Sequence, residues 1–182
     1  MNTRLSRLGL YCGAVALVLA LLPWRPGIVL GESMSPTIRN GSVYVMDCSP
    51  AAKQSLQRGD VVVFREAGET YIKRIAAVGG DTIYLLRSRD ESFNYDVVMD
   101  WQLPAARRAF GRGARRPVVL VARTLPPGMV FVLGDNLANS LDSRCLGPIA
   151  VRQIVGKMVG APAATEELRH VAVHSGPLPD RV

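Results

Sequence analysis

Histidine is nearly missing from this chain of 182 residues: its two copies, His170 and His174, fall in the C-terminal tail. An imidazole-based catalytic triad therefore has no material near any motif, and neither does a metal site, which needs several clustered ligands. Zinc-finger spacing, a P-loop and a glycine-rich dinucleotide fingerprint are all lacking. No metal and no cofactor are expected. Acidic residues are in the minority, 15 against 22 basic ones, for a formal charge of +7. That excess suits nucleic acid or anionic lipid headgroups. With no reader motif, nucleic acid is set aside and membrane lipid is the expected partner. Cysteine is scarce, at three residues. Cys12 lies in an apolar run, where a small thiol is unremarkable. For Cys48 and Cys145, a disulfide in an oxidising compartment and two free thiols both stay open. Long amphipathic helices and internal repeats are lacking too.

One long hydrophobic run is present. Leu8 to Trp24 is uncharged and rich in Leu, Val and Ala. As a helix its roughly 17 residues span about 26 Å, slightly less than a ~30 Å hydrocarbon core. Arg4 and Arg7 precede it. Trp24 and Arg25 follow and suit the headgroup level, and Pro23 and Pro26 end the helix. A cleaved signal peptide is the competing reading. It needs small residues after the apolar core, where this chain has Leu21, Leu22, Pro23 and Trp24. The expected order is a cytoplasmic N-terminus (1–7), a single-pass anchor in the cell inner membrane (8–24), and a domain on the extracytoplasmic, periplasmic side.

Beyond the anchor, short β-branched runs alternate with turn signals. Ser42–Met46, Val61–Phe64, Tyr71–Val78, Thr82–Leu86, Val118–Val121 and Met129–Leu133 are each bounded by Gly, Pro, Asn or Asp. They predict an all-β domain over residues 28–160. Residues 87–117 are polar and arginine-rich and read as a basic excursion, either docking on acidic phospholipid or simply solvated. In the tail, 161–182, Thr165 can cap a short helix with Glu166 and Glu167 in its first turn, and His170 onward is expected to fray.

Chemistry enters with Ser33 and Lys73. A serine hydroxyl needs a base to become a nucleophile. Without histidine, a lysine amine can serve once burial lowers its pKa from ~10.4. Lys73 sits between Ile72 and Ile75, sharing a strand face with Tyr71 and Ile75. Alone, it reads more readily as a snorkelling strand lysine paired to a carboxylate. Ser33 alone reads as a turn residue near Pro36.

Four elements taken in order carry more. Ser33-Met34-Ser35-Pro36-Thr37 follows the apolar run. Arg58-Gly59-Asp60 leads into Val61-Val62-Val63-Phe64. Tyr71-Ile72-Lys73-Arg74 comes next, and Gly134-Asp135-Asn136 opens a segment ending at Ser140-Leu141-Asp142-Ser143-Arg144. This set resembles the type I signal peptidases, membrane-bound serine endopeptidases with a Ser-Lys dyad. The resemblance covers residues 31–47, 58–81 and 131–157. It implies a signal-peptidase-like catalytic domain of mixed, mostly antiparallel sheets behind one N-terminal transmembrane helix. It implies Ser33 as nucleophile, Lys73 as general base and Ser140 as the group orienting the base. Arg74, Asp142 and Arg144 would give structural support, and Met34 would line the substrate pocket. The Ser33 backbone N–H would face the oxyanion. The implied partners are signal-peptide-bearing preproteins, cut after small side chains at an Ala-x-Ala type of site. Two departures stand out: Gly31 replaces a serine whose hydroxyl completes the oxyanion hole in some members, and Cys145 replaces a common aromatic residue.

Two other functions compete. A specialised relative would mature a pilin or a conjugation or secretion component with the same dyad. A non-catalytic, membrane-anchored module would bind signal peptides without cutting them, but it would not need Ser33, Lys73 and Ser140 together.

Overall fold

The β-branched runs form two antiparallel sheets in the structure, a computed structural model that describes residues 22–88, 95–99, 102 and 118–174. The first sheet has the order β1-β2-β10-β3-β4-β8-β9. Its strands are β1 (Trp24–Ile28), β2 (Val43–Asp47), β3 (Val61–Glu66), β4 (Glu69–Val78), β8 (Met129–Leu133), β9 (Ile149–Ala150) and β10 (Ile154–Met158). The second contains β5 (Thr82–Ser88), β6 (Tyr95–Val97), β7 (Val118–Thr124) and β11 (Val173–His174), all three of the others pairing with β5. Short helices interrupt them: α1 (Pro50–Gln54), α2 (Ser143–Leu146) and α3 (Glu166–Arg169).

Strand β3 shows why this sequence folds this way. Val61, Val62, Val63 and Phe64 are all buried, as expected of an interior strand covered on both faces. Val62 and Phe64 pack with Ile75, Val130, Val132, Ile149 and Ile154. Val61 and Val63 pack on the opposite face with Val29, Met34, Ile38 and Tyr44, which lie on the segment around Ser33 and on β2. A third cluster, including Ile83, Leu85, Leu125, Phe131 and Leu133, joins the two sheets. Each such fully buried side chain contributes about 1.5–3 kcal/mol of transfer free energy.

Every run expected to be a strand is one, with ends shifted by a few residues. The expected anchor, 8–24, lies outside the described residues up to residue 21. Its last residue, Trp24, begins β1 instead of ending a helix, because Trp24 to Ile28 pairs with Asp47 to Val43. Among the described residues no helix is long and apolar enough to cross a membrane. The described ends of the 87–117 segment belong to β5 and β6, so they extend a sheet; residues 103–117 lie outside the described set. Thr165 caps α3 as expected, its hydroxyl accepting from the Leu168 N–H. The tail does not fray at His170. Val171 and Ala172 are buried, and β11 pairs with β5. Cys48 and Cys145 are not joined to each other in a disulfide.

Candidate active site

Ser33 projects from the segment that follows β1. Met34 and Ile38 anchor that segment in the core, and the Ile38 N–H donates to the Met34 carbonyl at 2.9 Å. The Ser35–Pro36 peptide is cis. With its neighbours held below, Ser33 is left on the wall of a cleft of about 640 Å³. Residues 28–33 form one side of this cleft and Thr70 to Lys73 on β4 the other, with Asn139 and Leu141 at the rim.

Lys73 comes from β4 and is only 3% exposed. Its Nζ lies 2.7 Å from Ser33 Oγ and 2.8 Å from the Ile72 carbonyl oxygen. The Tyr71 ring is beside the amine, 5.8 Å from centroid to Nζ. Burial lowers the Lys73 pKa to about 8, against an opposing pull from the carboxylates of Asp142 and Asp135. Near neutral pH, a fraction of the amine is thus unprotonated and able to take a proton from the hydroxyl beside it.

Two carboxylate–guanidinium pairs brace the site. Arg74 forms a bidentate pair with Asp135, Nε to Oδ1 at 2.9 Å and Nη2 to Oδ2 at 2.7 Å, and also donates to the Gly59 carbonyl. Both side chains are almost wholly buried. Thr37 Oγ1 is hydrogen-bonded to the same Asp135 carboxylate, which links β4, the loop after β8 and the Ser33 segment. Asp142 pairs with Arg144 and accepts from the Gly134 N–H at 3.0 Å. Arg144 reaches on to the Leu137 carbonyl. The three supporting residues named from the sequence are thus split between two pairs, and Asp135 is the partner that the reading omitted. A buried lysine–arginine neighbourhood that needs a counter-charge was the signal available for it.

Ser140 departs from expectation. The Lys73 amine bonds to Ser33 and to the Ile72 carbonyl, while Ser140 Oγ is buried without a hydrogen-bond partner. Ser140 packs closely on Gly134: a Cβ there would lie 2.2 Å from Ser140 Oγ and 2.5 Å from the Ser33 carbonyl oxygen. Only glycine lets the three segments meet. Two residues along that loop, Asn136 donates its N–H to the Ser33 carbonyl at 3.0 Å. Met34 lines the same cleft as Ser33 and Lys73. Among the described residues the Ser33 N–H has no hydrogen-bond acceptor. The N–H groups of Gly31 and Ser35 are committed to Asn40 and to the Glu32 carbonyl. No group of three or more metal-ligating side chains occurs among the described residues.

A serine hydroxyl beside a buried amine, opening on a β-walled cleft, is an arrangement suited to a serine peptidase. The comparisons give the family. The family model described as signal peptidase, peptidase S26, matches residues 3–161, and the chain belongs to that family. It is 30% identical over 149 residues to signal peptidase I of Bacillus caldolyticus, covering 79% of this chain and 82% of that one. It is 31% identical over 147 residues to signal peptidase IB of Staphylococcus aureus, covering 73% and 74%. A crystal structure of a signal peptidase I from Enterococcus faecalis V583 aligns with 58% of this chain and 97% of that one, at 24% identity and a TM-score of 0.37.

Proposed function

We propose that this chain is a membrane-bound endopeptidase that removes signal peptides from exported preproteins, with Ser33 as nucleophile and Lys73 as general base. The observation that carries this is the 2.7 Å approach of a cleft serine to a buried amine whose pKa is lowered to about 8. The neutral amine takes the Ser33 proton as Oγ attacks the scissile carbonyl carbon. The resulting ammonium then protonates the leaving amine, and water repeats the cycle on the acyl-enzyme. The uncommitted Ser33 N–H faces the developing oxyanion. Ser140 orients the amine once substrate fills the cleft, because its hydroxyl has no competing partner to give up. The peptide enters as an added strand between the 28–32 segment and β4. Small side chains at −1 and −3 fit a wall formed by Met34 and Ile72.

Membrane attachment through the apolar run that begins at Leu8 and stops short of β1 would put the N-terminus in the cytoplasm and the cleft on the far side. The exposed apolar surface next to the cleft supports this. Leu30 is 86% exposed, Val43 71%, Ile28 60% and Trp24 56%, a cluster suited to a lipid surface rather than to water.

The test is cleavage of a preprotein carrying an Ala-x-Ala site by the detergent-solubilised full chain, followed by sequencing of the new N-terminus. Cleavage after the second alanine is expected from the unmodified chain. Ser33→Ala and Lys73→Arg should each lose at least ~10³-fold in kcat, since arginine does not release its proton. Undiminished cleavage by Lys73→Arg would remove lysine from the mechanism.

A further inference from the structure

Tyr44 lines the cleft but has no part in this chemistry, and it fits against Gly27 on the neighbouring strand. Tyr44 on β2 is cross-strand partner to Gly27 on β1. A Cβ on Gly27 would lie 2.4 Å from Tyr44 Cζ and 2.5 Å from Tyr44 Oη. The phenol end of the ring therefore occupies the volume that any side chain at 27 would need. The ring is largely buried, packing with Val29, Met34 and Val63, and it lines the same cleft as Ser33 and Lys73. Its hydroxyl makes no hydrogen bond to any described residue. Such a group, held in an otherwise apolar wall, can donate to a ligand or to water. Burial, reinforced by Cys48, raises the phenol pKa, so the hydroxyl keeps its proton as pH rises.

Position along the cleft decides which substrate residue meets it. The −1 carbonyl carbon must reach Ser33 Oγ, so the −1 side chain lies beside Ser33. An extended peptide advances about 3.3 Å per residue and turns alternate side chains to the same side. The −3 side chain therefore faces the same wall about 6.7 Å farther on. Tyr44 lines that cleft and packs with Val29 and Met34, on either side of Ser33 in the wall segment. A buried polar group discriminates strongly between substrates that pair with it and substrates that leave it unpaired.

We propose that Tyr44, given room by Gly27, is a specificity-determining residue that favours a small hydroxylated side chain, serine or threonine, over alanine at the −3 position. This rests on the peptidase reading above. The test uses the full chain in detergent and preproteins that differ only at −3 or only at −1, with alanine, serine, threonine or leucine at the varied place, cleaved in competition. The unmodified chain should prefer serine to alanine at −3 by about fivefold in kcat/KM, the scale of one neutral hydrogen bond. Tyr44→Phe keeps the ring and its packing, and it should bring that ratio to about one. The ratio at −1 should not move. Tyr44→Val, which empties the wall, should admit leucine at −3. A serine-to-alanine ratio at −3 that is the same in Tyr44→Phe, or one that changes only at −1, overturns this inference and leaves the peptidase reading standing. No cleavage of any member by the folded, unmodified chain overturns both.

Discussion

Around the cleft, the first sheet and its loops bury Lys73, Arg74, Asp135 and Asp142, whereas the interior of the second sheet is filled by Ile83, Leu85, Val97 and Leu125. Both regions are covered equally well, so burial alone does not distinguish them. The difference lies in what the burial costs. An apolar side chain gains by leaving water, while a charge taken from water loses several kcal/mol unless a partner offsets it. In the first sheet each buried carboxylate is met by a guanidinium, Asp135 by Arg74 and Asp142 by Arg144, and these pairs tie the segments around Lys73 together. The apolar cluster of the second sheet needs no such pairing.

The largest expected effect pits one region against the other. Arg74→Ala leaves the Asp135 carboxylate buried and unpaired and should cost about 3–5 kcal/mol. Leu85→Ala, in the second sheet, should cost a similar 2–5 kcal/mol through its cavity. Denaturant melts check the two losses, and kinetics well below the melting temperature separate them. Arg74→Ala loosens the Ser33 segment through Thr37 and should lose roughly 100-fold in kcat/KM; Leu85→Ala should stay near the parent. Equal kinetic losses would erase the distinction.

Lys73 tests the cost of burial directly. Its folded pKa, about 8, is below its unfolded value of 10.5. Below pH 8 both states are protonated, and the folded state carries the penalty of a buried ammonium. Between pH 8 and 10.5 the unfolded chain binds more protons, so stability rises with pH, and above that range the penalty is gone. Lys73→Met should therefore be inactive yet more stable, by on the order of 3 kcal/mol below pH 8, with the advantage vanishing by about pH 10.5. A gain that does not depend on pH would show that the amine is not the cause.

Activity should follow the same proton. With a pKa of about 8, the neutral fraction of Lys73 falls from about one half at pH 8 to about one hundredth at pH 6, so kcat/KM should drop about 50-fold over that interval. A flat profile across that interval would argue for another base. The smallest effect is expected at Ser140. Ser140→Ala breaks no hydrogen bond in the resting protein and should change stability by less than ~0.5 kcal/mol. It should still slow turnover about tenfold if the hydroxyl orients the amine during reaction. Equal, negligible effects on both would make it a spectator.

Legibility in the sequence followed locality. Ser33 and Lys73 stood out because each sits in a short element of characteristic order, and β3 and β4 because their apolar runs are continuous. Strand β10, which lies between β2 and β3, went unread: its run Ile154-Val155-Gly156-Lys157-Met158 mixes a glycine and a lysine into the pattern. The Lys157 charge is met by Asp60, nearly a hundred residues earlier, at 2.8 Å. The Arg74–Asp135 pair was hidden for the same reason, since only the folded sheet brings β4 and the loop after β8 together. β1 was mistaken for the end of the apolar run because Trp24 suits a headgroup as well as it suits a strand.

The Asn136 N–H that holds the Ser33 carbonyl has a consequence for timing. Translation delivers the serine and the lysine early and residues 135–136 some sixty positions later. A ribosome-bound chain that has emerged only through β4 holds both reactive groups but not the carboxylate that fixes Arg74, nor the amide that fixes the serine. On the proposed mechanism, proteolytic competence waits until the loop after β8 has been made, and a truncated product carries an unfinished cutting edge.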